Sequence, residues 1–461
     1  MFYGRVKQQK MLSEFYHSEN KMCALIYGRR RIGKTELVKQ SLNNSGIPYI
    51  YYECKQTSEA NNVQSLSQIV SETFNMPPLG FNNVEPLWEY LFEKAKSQSL
   101  VLVIDEYPYL RMVCTGLDSI LQSLIDKYNG QSKLKIVLCG SFVEIMKSLI
   151  EKSNPLFGRV DLSIHLKAMD YLESSLFYNG FSDSDKVRLY SLLGGVPYYN
   201  KLVDPAKSVK QNIIDLIASP TARLENEISS YLRNEISKMT NANEVFEALA
   251  KGYGRYHDIL SQSHVSSSPT LNDILEKLIK MEIITKSSPI NDENNRKKSW
   301  YYISDNLSLF YYRYIFRNQS RMAVMNEELF YNRFIDDDFE HYFVPMIFER
   351  ICTQYLIRCN QNGTLPDDFE KIGKYYYDIP KEKTNGEFDI VTENQGEYIF
   401  YEVKFKNSPM TLTQIEQEIE QVRRSGMKCS KFGFFSKTGF EDDCRECKEP
   451  LVLYTLADLF K

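Results

Sequence analysis

"CALIYGRRRIGKTELVKQSL", residues 23–42, decides how the rest of the chain is read. Cys23 to Tyr27 is a short apolar run of strand character, residues 28–35 form a glycine-bounded loop, and a helical pattern follows. The loop fits G-x-x-x-x-G-K-[ST] at every fixed position. Gly28 and Gly33 let backbone N–H groups curl around phosphate oxygens, and the following helix N-terminus adds its positive end. Lys34 would reach the outer phosphates, and the Thr35 hydroxyl would help hold Mg2+. Gly28, Arg29, Arg30, Arg31, Ile32, Gly33, Lys34 and Thr35 are therefore the expected nucleotide contacts.

Such a loop needs a second strand that carries a carboxylate towards the metal. "SLVLVIDEYPYL", residues 99–110, supplies it: a continuous apolar run, as in a strand buried on both faces, ending in Asp105 and Glu106. Asp105 would stand behind Mg2+, and Glu106 would polarise an attacking water. A third apolar run, "KLKIVLCGS", residues 133–141, ends in Ser141. This serine reads equally as a group that senses the outermost phosphate and as a strand-end turn residue. Arg159, in "NPLFGRVDL", residues 154–162, is either an arginine offered to a neighbouring subunit's nucleotide or a solvated surface residue.

A resemblance now becomes specific. "FYGRVKQQ" at residue 2, "YGRRRIGKTEL", "VIDEYPYL", "LCGSFVEIM", "NPLFGRV" and "LLGGVPYYN" occur in this order between residues 2 and 200. The series resembles a family of archaeal and bacterial AAA+-type ATPases related to the signal-transduction STAND ATPases. The likeness runs over roughly residues 2–320. It implies ATP as the nucleotide, Gly4 and Arg5 near the adenine, and Gly194 to Pro197 in a helical lid.

The middle of the chain reads as three helical stretches followed by two strands. In the third stretch Leu271, Ile274, Leu275, Leu278 and Ile279 recur at the spacing of one helix face. Ser266 to Ser268 offer caps before it. This order matches a winged helix-turn-helix, as the resemblance also implies. The opposite face carries Asn272, Asp273, Glu276, Lys277 and Lys280, of mixed sign, where a groove-reading helix would be more basic. Arg296, Lys297 and Lys298 on the wing could meet phosphates, or the module could be a spacer.

"NGEFDIVTENQGEYIFYEVKFKN", residues 385–407, reads as two strands around a polar turn. Side chains two apart share a strand face, so Glu387 and Asp389 point together, as do Glu402 and Lys404. If the strands pair, Asp389, Glu402 and Lys404 converge. Asp389, Glu402 and the Val403 carbonyl would hold Mg2+ through hard oxygens, and Lys404 would orient the nucleophile. Glu349, beside the buried stripe Phe343, Ile347, Phe348, Ile351 and Tyr355 of a preceding helix, could complete the shell. Helix, three strands, helix and further strands, including "LVLYTLADLF", give the order of a restriction-endonuclease-like domain. The stretch resembles the PD-(D/E)xK motif, with Phe388 in place of the proline, and the C-terminal domain that often follows this ATPase family.

Composition sets the bounds. The 461 residues are 43% hydrophobic and 25% charged, enough for several ordinary cores. A net charge of -4 leaves nucleic-acid binding to local patches. No signal-peptide pattern and no membrane-length apolar run occur, and nine scattered cysteines point to free thiols in a reducing cytoplasm. Cys444 and Cys447, even with Cys429, fall short of a tetrahedral zinc set.

The expected layout is an α/β chain. A P-loop, AAA+-like core spans 1–165, a helical lid 166–235, a winged helix 236–320, and a PD-(D/E)xK nuclease-like domain 321–461. The expected function is ATP hydrolysis joined to Mg2+-dependent action on DNA, possible as a homo-oligomer and without a membrane. The rival is a nucleotide-gated signalling or DNA-binding switch whose last domain is inert.

Overall fold

A computed structural model describes residues 2–225, 227–228, 241–379 and 384–461. The chain divides into two compact units. One comprises Met1–Ala168 with Val196–Tyr198, the other Met169–Gly195 with Tyr199–Lys461. Parts of the expected lid (226 and 229–235) and of the expected winged helix (236–240) lie outside the described residues.

The first unit is built on a parallel sheet of β1 (Cys23–Tyr27), β2 (Tyr49–Glu53), β3 (Leu100–Asp105), β4 (Leu134–Gly140) and β5 (Leu162–His165), in the order β2-β3-β4-β1-β5. The three interior strands are buried at every residue, which is why each is a continuous apolar run. The edge strand β2 alternates between buried and accessible residues, and the edge strand β5 buries Ile164 alone. Helices Val84–Lys94 and Leu117–Tyr128 bury Trp88, Leu91, Phe92, Leu121 and Tyr128 in the same core. All strands run the same way, so β1, β3 and β4 deliver residues 28, 105 and 141 to one end of the sheet. In open α/β sheets ligands bind outside the carboxyl ends of strands.

The second unit begins with helices Tyr171–Ser175, Asp183–Leu193 and Val209–Leu216. Helices Ala242–Ala250, Tyr256–Gln262 and Ser268–Lys280 follow, then β6 (Ile284–Ser287) and β7 (Trp300–Ile303), paired antiparallel. The third helix buries Leu271, Ile274, Leu275 and Leu278, with Ile279 half-buried, and Ser267 caps it by accepting from the Thr270 N–H. The first of these strands starts at Ile284, after Glu282 turns with φ 61°.

The C-terminal sheet has the order β12-β11-β10-β9-β8, with β8 (Lys371–Ile379), β9 (Thr384–Asn394), β10 (Glu397–Lys404), β11 (Cys429–Ser436) and β12 (Leu451–Thr455). β8, β9 and β10 pair antiparallel, whereas β10, β11 and β12 are parallel. Helix Val344–Gln361 enters from a π-helical turn over Phe339–Phe343 and buries Ile347, Phe348 and Ile351, with Tyr355 half-buried. Helix Leu412–Arg424 is closed by a capping box at Thr411 and lays Ile415, Ile419 and Val422 on the sheet core. "LVLYTLADLF" is not strand throughout. The Thr455 N–H and hydroxyl both donate to the Asp458 carboxylate, at 2.8 and 2.6 Å, and turn residues 456–459 into a short helix.

Candidate functional site

The glycine loop is shaped by backbone constraints. At Gly28, with φ 155°, a Cβ would fall 2.2 Å from the Leu166 carbonyl oxygen, so no side chain fits. Gly33 has φ 91° and Arg31 φ 65°, left-handed conformations that bend the loop into helix Lys34–Ser45. Lys34 is buried inside the loop. Its Nζ donates to the Gly28 and Arg29 carbonyls at 2.8 and 3.1 Å and to Ser141 Oγ at 2.9 Å. Burial pushes the Lys34 pKa down, while the charges of Glu106 and Asp105 pull it back up.

Two linked hydrogen-bond sets extend from that lysine. Ser141, accepting from Lys34, donates its hydroxyl to Glu106 Oε1, and its N–H donates to Glu106 Oε2 at 3.2 Å. Thr35 Oγ1 donates to Asp105 Oδ2 at 2.8 Å, and the Glu106 N–H donates to Asp105 Oδ1 at 2.9 Å. Glu106 itself has φ 51°, a strained setting for a residue with a side chain, and strain of this kind clusters at functional sites. Lys34, Thr35, Asp105, Glu106 and Ser141 are thus brought together. One further member escaped the sequence reading: Tyr51, on β2, donates its hydroxyl to Asp105. The donor set, a hydroxyl and two carboxylates beside a buried ammonium, suits a nucleotide with Mg2+.

The arginines are distributed differently. Arg30 Nη2 donates to Tyr109 Oη at 3.1 Å, and the Arg31 guanidinium lies 4.4 Å over the Tyr198 ring, while Ile32 is buried. Arg5, buried and left-handed at φ 58°, donates to the Lys167 carbonyl at 2.6 Å, and the Gly4 carbonyl accepts from Gln9. Arg159 does not meet the loop of its own chain. It grips both oxygens of Asp126, at 3.2 and 3.0 Å, and that bond raises its pKa.

The second set lies in the C-terminal sheet. Gly373 faces Val391 and Tyr375 faces Phe388, so Asp389 and Ile390 stand opposite Lys374 alone, as in a β-bulge. Lys374 Nζ lies 2.7 Å from Asp389 Oδ1 and 3.6 Å from Glu387. On β10, Lys404 donates to Glu402 and lies 3.3 Å from Glu418 of helix Leu412–Arg424. Glu349 stands in the field of Asp389 and Glu402 and makes no ion pair among the described residues. Burial first, then the charge of Asp389, push its pKa up to about 8. Burial also raises Glu402, against the pull of Lys404.

Asp389, Glu402, Lys404 and Glu349 therefore share one electrostatic neighbourhood, but not as a ready metal cage. Among the described residues no group of three or more His, Cys, Asp or Glu could hold a metal ion. Lys374 and Glu418, unforeseen from sequence, explain the difference: each lysine takes an acid that the metal set required. Cys444 is buried and bonds the Met410 carbonyl, and Cys429 bonds the Lys431 carbonyl, in keeping with free thiols.

The wing is also spoken for. The Ile290 N–H donates to the Lys374 carbonyl at 2.8 Å, and the Asn291 side chain bonds both the N–H and the C=O of Tyr376, at 3.1 and 2.7 Å. Lys298 pairs with Asp292 at 2.8 Å and lies 3.9 Å over the Tyr376 ring, so it is not free for phosphates; Lys297 is exposed. The loop thus covers the edge strand β8, an arrangement that blunts unwanted edge pairing. Asn272, Asp273, Glu276, Lys277 and Lys280 are exposed with the mixed charge expected. No helix among the described residues is long and apolar enough to cross a membrane.

Residues 2–203 match a family described as an ATPase domain predominantly from Archaea. Residues 311–421 match a family of archaeal and bacterial proteins of unknown function. An uncharacterized protein of Methanocaldococcus jannaschii is 28% identical over 417 residues, 88% of each chain. Among solved structures, a Walker-type ATPase of Pyrococcus abyssi is 21% identical, with a TM-score of 0.51 over 68% of this chain and 96% of its own. That likeness concerns the fold. The ORC2 protein of Aeropyrum pernix aligns at 13% identity and a TM-score of 0.43, over 67% of this chain and 92% of its own.

Proposed function

We propose that in this chain, whose residues 2–203 match an ATPase domain predominantly from Archaea and whose residues 311–421 match a family of unknown function, ATP hydrolysis governs a C-terminal Mg2+-dependent PD-(D/E)xK nuclease-like site acting on DNA. At the loop, Lys34 and the backbone N–H groups bind the phosphates. Thr35 and Asp105 are the residues that would hold Mg2+, which when bound neutralises phosphate charge. Glu106 orients the attacking water, and Ser141 links that carboxylate to Lys34. Gly4 and Arg5 belong to the adenine end. Arg159, half-buried against Asp126 on its own chain, serves a neighbour's nucleotide in a homo-oligomer.

The observation that supports the C-terminal reading is the crowding of Glu349, Asp389 and Glu402, where burial and the acids outweigh the pull of Lys374 and Arg350 on Glu349. Asp389, Glu402 and the Val403 carbonyl are the oxygens that would hold a divalent ion, which would relieve such repulsion and supply a polarised water. Lys404, steadied by Glu402 and Glu418, orients the nucleophile. The lysine pairs on Asp389 and Glu402 favour the second reading, a nucleotide-gated switch with an inert last domain.

Labelled linear and circular DNA incubated with Mg2+ or Mn2+, with and without ATP, separates the two. Cleavage that disappears in Lys404→Ala is the expected result. DNA left intact by the wild type in every condition would transfer the conclusion to the switch.

A further inference from the structure

We propose that Tyr51 is a positioning residue of the ATPase site, holding the Asp105 carboxylate for the nucleotide-bound Mg2+. Tyr51 lies on the edge strand β2, whose register with β3 sets Tyr51 beside Val103 and Glu53 beside Asp105. The two strands therefore end together, and the phenol reaches the acid from the side opposite the glycine loop's own strand.

The carboxylate is held at both oxygens. Oδ1 accepts from the Glu106 N–H at 2.9 Å. Oδ2 accepts from Thr35 Oγ1 at 2.8 Å and from Tyr51 Oη. Asp105 is buried, so few solvent bonds are left to replace a lost donor. Lys39 lies 5.1 Å over the Tyr51 ring and helps to keep it in place.

The geometry divides the work between the two donors. Thr35 is the hydroxyl that the loop offers to the cation, and its hydrogen reports on Asp105 only while its oxygen is suitably turned. Tyr51 comes to Asp105 from a neighbouring strand, with its hydroxyl also in hydrogen-bond reach of the Thr35 side chain. With Thr35 it fixes the orientation of Oδ2, so that Asp105 need not reorganise when the cation arrives. A bond from a neutral donor to a carboxylate is among the stronger hydrogen bonds of a protein interior.

Tyr51→Phe removes only the hydroxyl and keeps the ring beneath Lys39. In the full-length chain, binding of a fluorescent ATP analogue would be followed across a Mg2+ titration, beside steady-state turnover. Affinity without Mg2+ should be unchanged, whereas the Mg2+ concentration giving half the full effect should rise about tenfold, the loss expected for one charge-assisted hydrogen bond. Turnover should recover towards the wild-type value at saturating Mg2+, which a merely misfolded site would not do. The same substitution made on Asp105→Asn should move the Mg2+ midpoint little, because the two groups act as one pair. A midpoint in Tyr51→Phe within twofold of wild type overturns the proposal. So does a tenfold shift that persists on Asp105→Asn.

Discussion

The two sheets carry their acids in different places. In the parallel sheet Asp105, Glu106 and Ser141 stand at strand ends, each joined by hydrogen bonds to a neutral donor or to Lys34. In the C-terminal sheet Glu387, Asp389, Glu402 and Lys404 lie along the strands themselves, and lysines neutralise the acids. A strand-end site draws on several strands through their shared direction, so its parts assemble whenever the sheet forms. A site on a sheet face depends on register, and one shifted residue changes which side chains meet. The bulge opposite Lys374 is such a shift.

The largest effect should come from the strand-end site. Lys34 gives its three protons to two carbonyls and Ser141, so Lys34→Ala removes the group proposed to bind phosphate and also the donor that orders Ser141 and Glu106. ATP turnover should fall by on the order of 10²–10³, the range for losing one preorganised donor. Initial rates with saturating ATP measure it. Turnover within a few fold of wild type would mean that the hydrogen-bonded network is ornamental and would erase the contrast between the sheets.

How far each site was legible follows from the same geometry. The interior strands β1, β3 and β4 were read directly, because burial on both faces leaves an uninterrupted apolar run. The edge strands β2 and β5 were missed: "YIYYE" and "LSIH" bury one face only and are short. Tyr51 went with its strand, and no local signal ties it to an acid 54 residues away. In the C-terminal sheet the alternation of Phe388, Asp389 and Ile390 was legible, since it depends only on strand period. Lys374 and Glu418 were not, because the bulge and the helix that bring them in are tertiary facts. "LVLYTLADLF" failed for a local reason: its apolar run conceals a cap at Thr455.

A smaller effect should appear at Glu349, and it sharpens the comparison by asking whether the C-terminal acids are balanced. The pKa of this carboxyl is raised to about 8 in the folded chain, so between the ordinary carboxylate value and 8 the folded state binds more protons than the unfolded. Its contribution to stability is complete below the unfolded value and is lost as pH rises towards 8. The C-terminal domain should therefore melt lower at pH 8 than at pH 5 on account of this group, by roughly 2–4 °C for each kcal/mol the shift is worth, and Glu349→Gln should flatten the slope. Thermal melts across that window, with and without Mn2+, provide the check. Mn2+ that removes the slope in the wild type would support a cation among these acids, and a slope that Glu349→Gln leaves intact would assign the instability elsewhere.

The smallest effect is expected at Arg159, whose bidentate grip on Asp126 is solvent-exposed on both sides, with side-chain exposures of 34% and 48%. Exposed pairs of this kind contribute about 0–1 kcal/mol, and salt screens them further. Arg159→Ala in dilute solution should therefore leave the melting temperature within about a degree, and turnover unchanged, because the guanidinium does not reach its own loop. If chains associate and the arginine serves a neighbour, a deficit should emerge only as concentration rises, and mixing with Lys34→Ala chains should reveal it. The Lys34→Ala subunit binds phosphate poorly but still offers its own Arg159, so mixing it with Arg159→Ala should restore turnover at the Arg159→Ala loops. Restoration requires a shared interface. A deficit already complete at high dilution would instead place Arg159 at its own nucleotide, and the strand-end site would then include a residue that its hydrogen bonds to Asp126 and Phe157 hold away from it.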